Sequence, residues 1–338
     1  MLTALKTIGY CDIDIRDCVF FCVRKYQIPF AMNIPEEQIR DFDFFDHINM
    51  STLRKAAWQA LHIYSNIFAL RRADQAISAM TAREPFDFYL FHGRCREADI
   101  IVSHRACRSF SYLEEGTLAY TGNYKLRCTL SRFRQRLAKL LFNSVFMGRA
   151  MLFDSKIAYD YGHKKYRTIY CCHPWAFPDR SDKKVMGLPF SETDEFPEDL
   201  QSLIVFDGGN FTVHDQKKSL RMNIEHAVGL GLKKVYYKFH PGFNAEIKSD
   251  YRHEFEKLSA EFNVQVAELP QTACLENIAY TLKERLALYI VCSSVGFYAS
   301  LCGAKIYCTA RHFIDENPAM QNFFQSLPPK LFDTYHFI

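Results

Sequence analysis

The sequence lacks several features that would place it in a familiar class of proteins. No stretch reaches the roughly 18–20 consecutive apolar residues that a membrane-spanning helix needs. The first residues, MLTALKTIGYCDIDIRD, have neither the basic start nor the apolar core of a signal peptide. There is no internal repeat and no low-complexity tract. We therefore expect a folded, cytoplasmic protein.

The cysteines and the net charge argue against further classes of protein. The twelve cysteines include no CxxC pair, and Cys171 and Cys172 are adjacent, which suits neither a common zinc site nor a simple disulfide. We expect reduced, mostly buried thiols in a reducing compartment. The formal net charge of +4 is too small to imply nucleic acid by itself, and no recognised nucleic-acid-binding motif accompanies the basic residues.

What the sequence does contain is an alternation of strand-like and helix-like segments along 338 residues, of which 49% are hydrophobic. Such alternation is typical of an α/β fold. Residues 178–200 are rich in Pro, Asp and Ser, as linkers are. We predict two domains, residues 1–180 and 201–338, joined by a linker at 181–200, with the C-terminal end packing back on the first domain. Two such domains would leave a cleft between them for a ligand.

Two of the predicted strands end in residues suited to proton transfer. Glu114 and Glu115 close one strand in YLEEG, and because adjacent strand residues face opposite ways, one of the two at most points into a cleft. A neighbouring like charge raises the pKa of a carboxylate, which helps it to act as a general base. His240 ends another strand, where Pro241 stops the ladder. Its imidazole could donate a proton to a departing oxygen, or it is a structural histidine in a turn.

A third group follows the apolar strand in LALYIVCSSVGFYASL. Ser293 and Ser294 stand where a helix begins, and a serine there either caps the helix or, together with the first N–H groups, holds an anion such as phosphate. Glu276 is predicted on a short helix after the strand at 262–269. A carboxylate there could accept both hydroxyls of a ribose.

The order of these groups resembles that of the bacterial sialyltransferases of the GT-B type, which include the lipooligosaccharide sialyltransferases and the capsule polysialyltransferases. Their signatures are an acid-acid-glycine triplet, a His-Pro and a Ser-Ser. This chain has Glu114-Glu115-Gly116, His240-Pro241 and Ser293-Ser294, over roughly residues 86–310. The resemblance implies two Rossmann-like domains that face a central cleft, the first for the acceptor and the second for a CMP-sugar.

The resemblance also implies a role for each residue. Glu115 matches the base that deprotonates the acceptor hydroxyl, and His240 matches the group that protonates or hydrogen-bonds the leaving phosphate. Ser293 and Ser294 match residues that hold the phosphate, and Glu276 matches the acid that binds the ribose. The other donor-side positions are Pro241, Gly208 and Gly209. The family usually opens with an apolar strand, whereas MLTALKTIGY is predicted to be helical. The sequence therefore does not predict which strand forms the edge of the first domain.

The function implied is that of an inverting sialyltransferase that uses CMP-sialic acid and a glycan acceptor, with neither a cofactor nor a metal. A metal-dependent transferase would need an acidic pair after a nucleotide-binding strand, and neither DID at 12–14 nor DFD at 41–43 follows a clear strand. Two alternatives remain. One is transfer of another CMP-activated acidic sugar such as Kdo, and the other is a non-catalytic module that binds anionic glycan or nucleic acid.

Two amphipathic helices are predicted in the first domain. The segment at 126–148 is either a half-buried helix with a solvated basic face or a platform for an anionic membrane surface or glycan. The second reading would place the protein at the periphery of the inner membrane. The basic residues of this helix are Arg127, Arg132, Arg134, Arg136 and Lys139. The other helix, at 51–80, carries Leu53, Ala57, Ala60, Leu61 and Tyr64 on one face.

Overall fold

The computed structural model describes residues 2–22, 34–41, 61–91, 96–121, 146–149, 159–207, 213–317 and 327–338, and the single positions 54, 57, 58, 137, 140, 144, 321, 324 and 325. These residues form an α/β protein with parallel sheets, which confirms the α/β part of the predicted fold class. They divide into two compact units, with the boundary between Pro189 and Phe190. That boundary lies inside the predicted linker.

The first unit combines a helix at its start with two parallel sheets. Its helices include α1 (Leu2–Tyr10), α2 (Ile63–Met80) and α3 (Arg96–Ser103). Its strands are β1 (Phe20–Cys22), β2 (Ile39–Asp41), β3 (Phe86–Leu90), β4 (Cys107–Leu113), β5 (Tyr166–Cys171) and β6 (Lys183–Val185). β1 pairs with β2, and the larger sheet has the order β3-β4-β5-β6.

Helices cover both faces of the larger sheet. On one face, Leu70 and Ile77 of α2 and Ile100 of α3 form a core with the phenylalanines of β3. On the other, α1 packs against Met186 and its neighbours, and the hydroxyl of Thr7 donates to Met186 Sδ at 3.4 Å. Parallel strands that are buried on both faces need nearly continuous apolar sequence. In β4, residues 110–113 are all buried.

Part of the predicted linker is sheet. Residues 183–185 form β6, which pairs with β5 at the edge of the first sheet. Lys183 anchors this strand, since its ammonium donates to the carbonyl oxygens of Pro174 at 2.5 Å and Ala176 at 2.6 Å. The composition of 178–200 predicted a loop because a three-residue edge strand leaves little periodic signal.

The second unit holds a six-stranded parallel sheet. Its helices include α4 (Val213–Gly229), α5 (Ala245–Phe262), α6 (Leu275–Leu282), α7 (Ser294–Leu301) and α8 (Arg311–Ile314). Its strands are β7 (Ser202–Val205), β8 (Lys234–Lys238), β9 (Gln265–Glu268), β10 (Ala287–Ile290), β11 (Lys305–Cys308) and β12 (Tyr335–Phe337). The order across the sheet is β9-β8-β7-β10-β11-β12.

Alternate residues of the central strands enter two separate cores. In β7, Leu203 and Val205 pack with α6 and α7, whereas Ile204 packs with α4 and α5. Helix α7 lies especially close to the sheet at Gly296, because a Cβ added there would overlap the side chain of Ile290 and come within 3.3 Å of the Tyr335 hydroxyl. This tight packing fixes where α7 begins.

The C-terminal end adds a strand to the second sheet, and the packing of the last residues on the first domain stays a prediction. Tyr335–Phe337 form β12, the edge strand of the second sheet, paired in parallel with β11. The backbone N–H of Ile338 also donates to the carbonyl oxygen of Cys308 at 3.1 Å. Among the helices of the described residues, none is long and apolar enough to cross a bilayer.

Candidate functional site

The strand order of the second sheet reverses between β7 and β10. From β7 the chain adds β8 and β9 on one side, and from β10 it adds β11 and β12 on the other. In open parallel sheets, ligands bind at such a reversal, outside the carboxyl ends of the strands. Asp207 follows β7 and Ser293 follows β10, so both lie at this edge. His240 follows β8, the next strand along.

Ser293 caps helix α7, so the cap that the sequence offered as one alternative is present. Its hydroxyl oxygen accepts the N–H of Val295 at 3.3 Å, and its carbonyl oxygen accepts the N–H of Gly296 at 3.1 Å. A hydroxyl that accepts one hydrogen bond keeps its own proton for donation to an anion. The cap is therefore compatible with a phosphate site. Ser294, the first residue of α7, is half-buried beside it.

Asp207, which the sequence analysis missed, ties the ends of β7 and β10 together. Its Oδ2 accepts the N–H of Val291 at 3.2 Å and that of Cys292 at 2.9 Å. Both donors directly precede Ser293, so the carboxylate holds the turn that carries the serine pair. Burial raises the pKa of the Asp207 carboxyl to about 6, although the two amide donors act to lower it. The available signal was an acid directly after an apolar strand, in SLIVFDGG.

Replacing Asp207 with asparagine is expected to flatten the pH dependence of folding stability between about pH 4 and pH 6. In that window the folded wild type keeps a proton that the unfolded chain has released, because the pKa is about 6 in the fold and 3.8 ordinarily. The contribution of Asp207 to the free energy of unfolding therefore falls as pH rises, by about 3 kcal/mol in all. The substituted asparagine cannot titrate. Its amide has acceptors in the same small cavity, Gln216 Oε1 and Asn223 Oδ1, both buried and unpartnered among the described residues.

Urea unfolding of wild type and D207N across this pH range measures the effect as a difference between the two curves. The control is Glu284→Gln, which removes an exposed acid of the same unit and should leave the slope in place. If wild type and D207N ran parallel from pH 4 to pH 7, the carboxyl of Asp207 would be ionising as an ordinary exposed aspartate does.

His240 lies two residues beyond β8, in a turn that fixes its ring. The Nδ1 atom accepts the N–H of Gly242 at 3.1 Å, so the neutral ring carries its proton on Nε2. The turn leads into α5, which Asn244 caps by accepting the N–H of Ile247 at 2.8 Å. His240 is half-buried and Pro241 is exposed. An Nε2–H group is the donor that a departing phosphate oxygen would require.

Glu276 lies in the first turn of α6, half-buried, with Lys238 as a charged neighbour. The ammonium of Lys238 donates to the carbonyl oxygen of Ala273. Burial lowers the pKa of Lys238, and the nearby carboxylate of Glu276 opposes this shift. The edge beyond β8 and β9 thus has a carboxylate acceptor next to an ammonium donor. The sequence analysis missed Lys238 because a lysine inside a strand gives no signal of its own.

The two adjacent acids after β4 have opposite environments, as the alternation of strand residues predicts. Glu114 is only 1% exposed. Its Oε1 accepts the hydroxyl of Tyr120 and its Oε2 accepts the N–H of Cys172, both at 2.6 Å. Glu115 is exposed. It directly precedes Gly116, whose φ of +51° turns the chain into a short 3-10 helix, Gly116–Tyr120.

Glu114 therefore anchors the loop that presents Glu115. Its two hydrogen bonds join the end of β4 to the 3-10 helix and to the residue after β5. Burial raises the pKa of the Tyr120 hydroxyl, and the Glu114 charge raises it further. Burial first and Glu114 second also raise the pKa of the Cys172 thiol, to about 12. Cys172 is thus a buried, protonated thiol, as the sequence analysis expected.

The structure places Ser293 and Asp207 at one hydrogen-bonded turn of the second unit. His240 follows β8, Glu276 lies in the first turn of α6, and Glu115 is described separately in the first unit. The placement of Glu115 opposite His240 stays a prediction. The remaining predicted positions, Gly208, Gly209, Arg132, Arg134, Arg136 and Lys139, lie outside the described residues.

Comparison with known proteins gives this chain no family. A scan against models of protein families finds no match, and a search among curated proteins finds none either. The case for its function therefore depends on the residues and geometry described above.

Proposed function

We propose that the chain is an inverting sialyltransferase that moves sialic acid from CMP-sialic acid to a hydroxyl of a cell-surface glycan, lipooligosaccharide or capsule. The observation that carries the proposal is the reversal of strand order between β7 and β10, with Asp207 on one side and Ser293 on the other. Nucleotides bind at this position in sheets of this order. The proposed architecture is GT-B, with the acceptor on the first unit and the CMP-sugar on the second.

The donor groups at this edge suit a nucleotide monophosphate. The hydroxyls of Ser293 and Ser294, the positive end of α7 and the Nε2–H of His240 can stabilise negative charge that develops on a phosphate. Together they would do so without a resident metal ion. The half-buried carboxylate of Glu276 can accept the hydroxyls of the ribose. The roles of Ser293 and His240 are supported by their positions just beyond β10 and β8, and that of Glu276 by its position on α6, which follows β9.

The transfer step assigns the base to Glu115. Its carboxylate takes the proton of the acceptor hydroxyl while the hydroxyl oxygen forms a bond to the anomeric carbon of the sugar. The bond from that carbon to the phosphate oxygen breaks, and its electron pair stays on CMP, where His240 donates a proton or a hydrogen bond. Exposure favours Glu115 over Glu114 for this role, because a substrate cannot reach a buried carboxylate that already accepts two hydrogen bonds.

The proposal includes a cytoplasmic location at the periphery of the inner membrane. It is supported by the nine cysteines whose side chains the structure describes, which are all free thiols. The predicted platform for an anionic membrane or glycan remains the helix at 126–148. The proposal assigns no role to nucleic acid.

The test is an assay of CMP release with a panel of donors. We expect the full chain to release CMP from CMP-sialic acid only when a lactose-type or oligosialic acceptor is present, and mass analysis to show the acceptor gaining sialyl residues. Because hydroxyls, amides and His240 would replace a metal, EDTA should leave the rate unchanged.

Three outcomes would go against the proposal. Turnover of CMP-Kdo but not of CMP-sialic acid would establish the alternative donor. Loss of activity in EDTA would show that a metal takes part. Binding of an anionic glycan with no CMP release from either donor would favour a non-catalytic module.

A further inference from the structure

The outer side of helix α2 carries large apolar side chains in an unusual place. Leu61 is 83% exposed and Tyr64 is 78% exposed, the two highest values among the large hydrophobic residues described. Phe68, one turn further on, is 62% exposed. Tyr64 and Phe68, four residues apart, lie in one row on the helix, and Leu61 lies two residues before its first residue, Ile63. We call Leu61, Tyr64 and Phe68 together the outer face of α2.

This row is separate from the face with which α2 packs on the protein. The buried line of the helix is Leu70, Ala73 and Ile77. Nine residues at about 100° each separate Tyr64 from Ala73, which puts the two side chains on opposite sides of the helix. The outer face is therefore an addition to the core-forming face. It includes two of the residues, Leu61 and Tyr64, that the apolar pattern at 51–80 had grouped on one face.

The charged residues of α2 that lie within one turn of the outer face along the sequence are positive. Arg71 and Arg72, exposed, follow Phe68 by three and four residues, so they flank the row one turn further along. Arg54 is also exposed. Residues 51–73 contain four arginines and lysines and no aspartate or glutamate. A second copy of this chain docked here would bring like charges together, whereas an anionic surface would be attracted.

We propose that the outer face of α2 docks on a bilayer that contains anionic lipid. A helix that lies in the membrane interface has this arrangement, with aromatic and aliphatic side chains on one side and arginines beside them. Tyrosine suits the interface because its ring is apolar and its hydroxyl is polar. Leu61, Tyr64 and Phe68 enter the bilayer surface, and Arg71 and Arg72 contact lipid phosphates. The site is independent of the proposed transfer chemistry and distinct from the helix at 126–148.

Co-sedimentation of the full chain with vesicles tests the proposal. We expect sedimentation with vesicles of phosphatidylcholine mixed with phosphatidylglycerol and much less with phosphatidylcholine alone. The variant Leu61→Ser/Tyr64→Ser/Phe68→Ser should bind the mixed vesicles at least about 100-fold more weakly, since each side chain contributes apolar burial. Arg71→Glu/Arg72→Glu should lose the preference for anionic vesicles. Because all five positions are exposed, circular dichroism should show unchanged folding.

The matched control is Leu230→Ser, which removes an exposed leucine, 53% exposed, from the second unit and should bind like wild type. The proposal is overturned if wild type does not sediment with the mixed vesicles, or if the triple serine variant binds as well as wild type. It is also overturned if analytical ultracentrifugation shows a dimer that the triple variant dissociates, because the outer face would then be an interface between two copies.

Discussion

Glu115→Gln is expected to lower the rate of sialyl transfer by about 10²–10⁴-fold, the range for loss of a general base. The glutamine keeps the shape of the side chain but cannot take the acceptor proton. Because Glu115 is exposed, the substitution should leave the fold unchanged. CMP release under saturating donor and acceptor measures the rate. Calorimetric titration with CMP should show unchanged affinity, since CMP is assigned to the second unit.

The comparison variant for this experiment changes a residue assigned to the CMP-sugar. His240→Asn should also lower the rate, and it should weaken CMP binding as well, because His240 is assigned to the phosphate. A Glu115→Gln enzyme with wild-type turnover would remove Glu115 from the mechanism. If both substitutions left turnover intact while charge reversal in the helix at 126–148 abolished function, the chain would be a binding module and not a transferase.

Glu114→Ala is expected to destabilise the first unit by about 2–5 kcal/mol. The buried carboxylate accepts two hydrogen bonds of 2.6 Å, and its removal takes this acceptor away from the buried Tyr120 hydroxyl and Cys172 N–H. Each such group costs about 1–3 kcal/mol. Urea unfolding followed by circular dichroism should show the transition of the first unit at lower urea. Tyr120→Phe, which removes one of the two donors, should cost less than Glu114→Ala.

The neighbouring acid provides a matched control. Glu115→Ala changes the same residue type one position further along, and as an exposed substitution it should alter stability by no more than about 0.5 kcal/mol. Equal stability of the two alanine variants would mean that the hydrogen bonds of Glu114 do not hold the loop. The two adjacent acids would then differ in exposure but not in their contribution to stability.

The strands of the second unit were predictable because both faces of the sheet are buried. Their sequences are apolar at successive positions, and the segments that this pattern predicts as strands, such as 202–209 and 286–292, contain β7 and β10. The predicted strands extend past the observed ones at their carboxyl ends. The reason is that Phe206 and Val291, which follow the strands, are also apolar and buried. At those ends the apolar residues line the edge where the candidate site lies, so hydrophobicity continues after the ladder stops.

The buried acids could be placed only by the fold. Asp207 contacts Val291 and Cys292 across 84 and 85 positions of sequence, and Glu114 contacts Cys172 across 58. Local pattern does not contain such pairings, so an acid at a strand end predicts a solvated or catalytic carboxylate equally well. The same limit applies to Ser293. Its capping bond to Val295 is local and was predictable, whereas its proximity to Asp207 was not.

The edge strand β12 has a practical consequence for expressing and tagging the protein. Ile338 accepts a hydrogen bond from His312 Nε2 at 2.9 Å, and Tyr335 fills the space beside Gly296 of α7. Trimming residues 335–338, or fusing a bulky affinity tag directly to them, would disturb the helix that begins with the serine pair. Protein altered in this way would have a damaged site at the start of α7, and its assays would mislead. A cleavable tag with a long spacer is therefore the suitable choice.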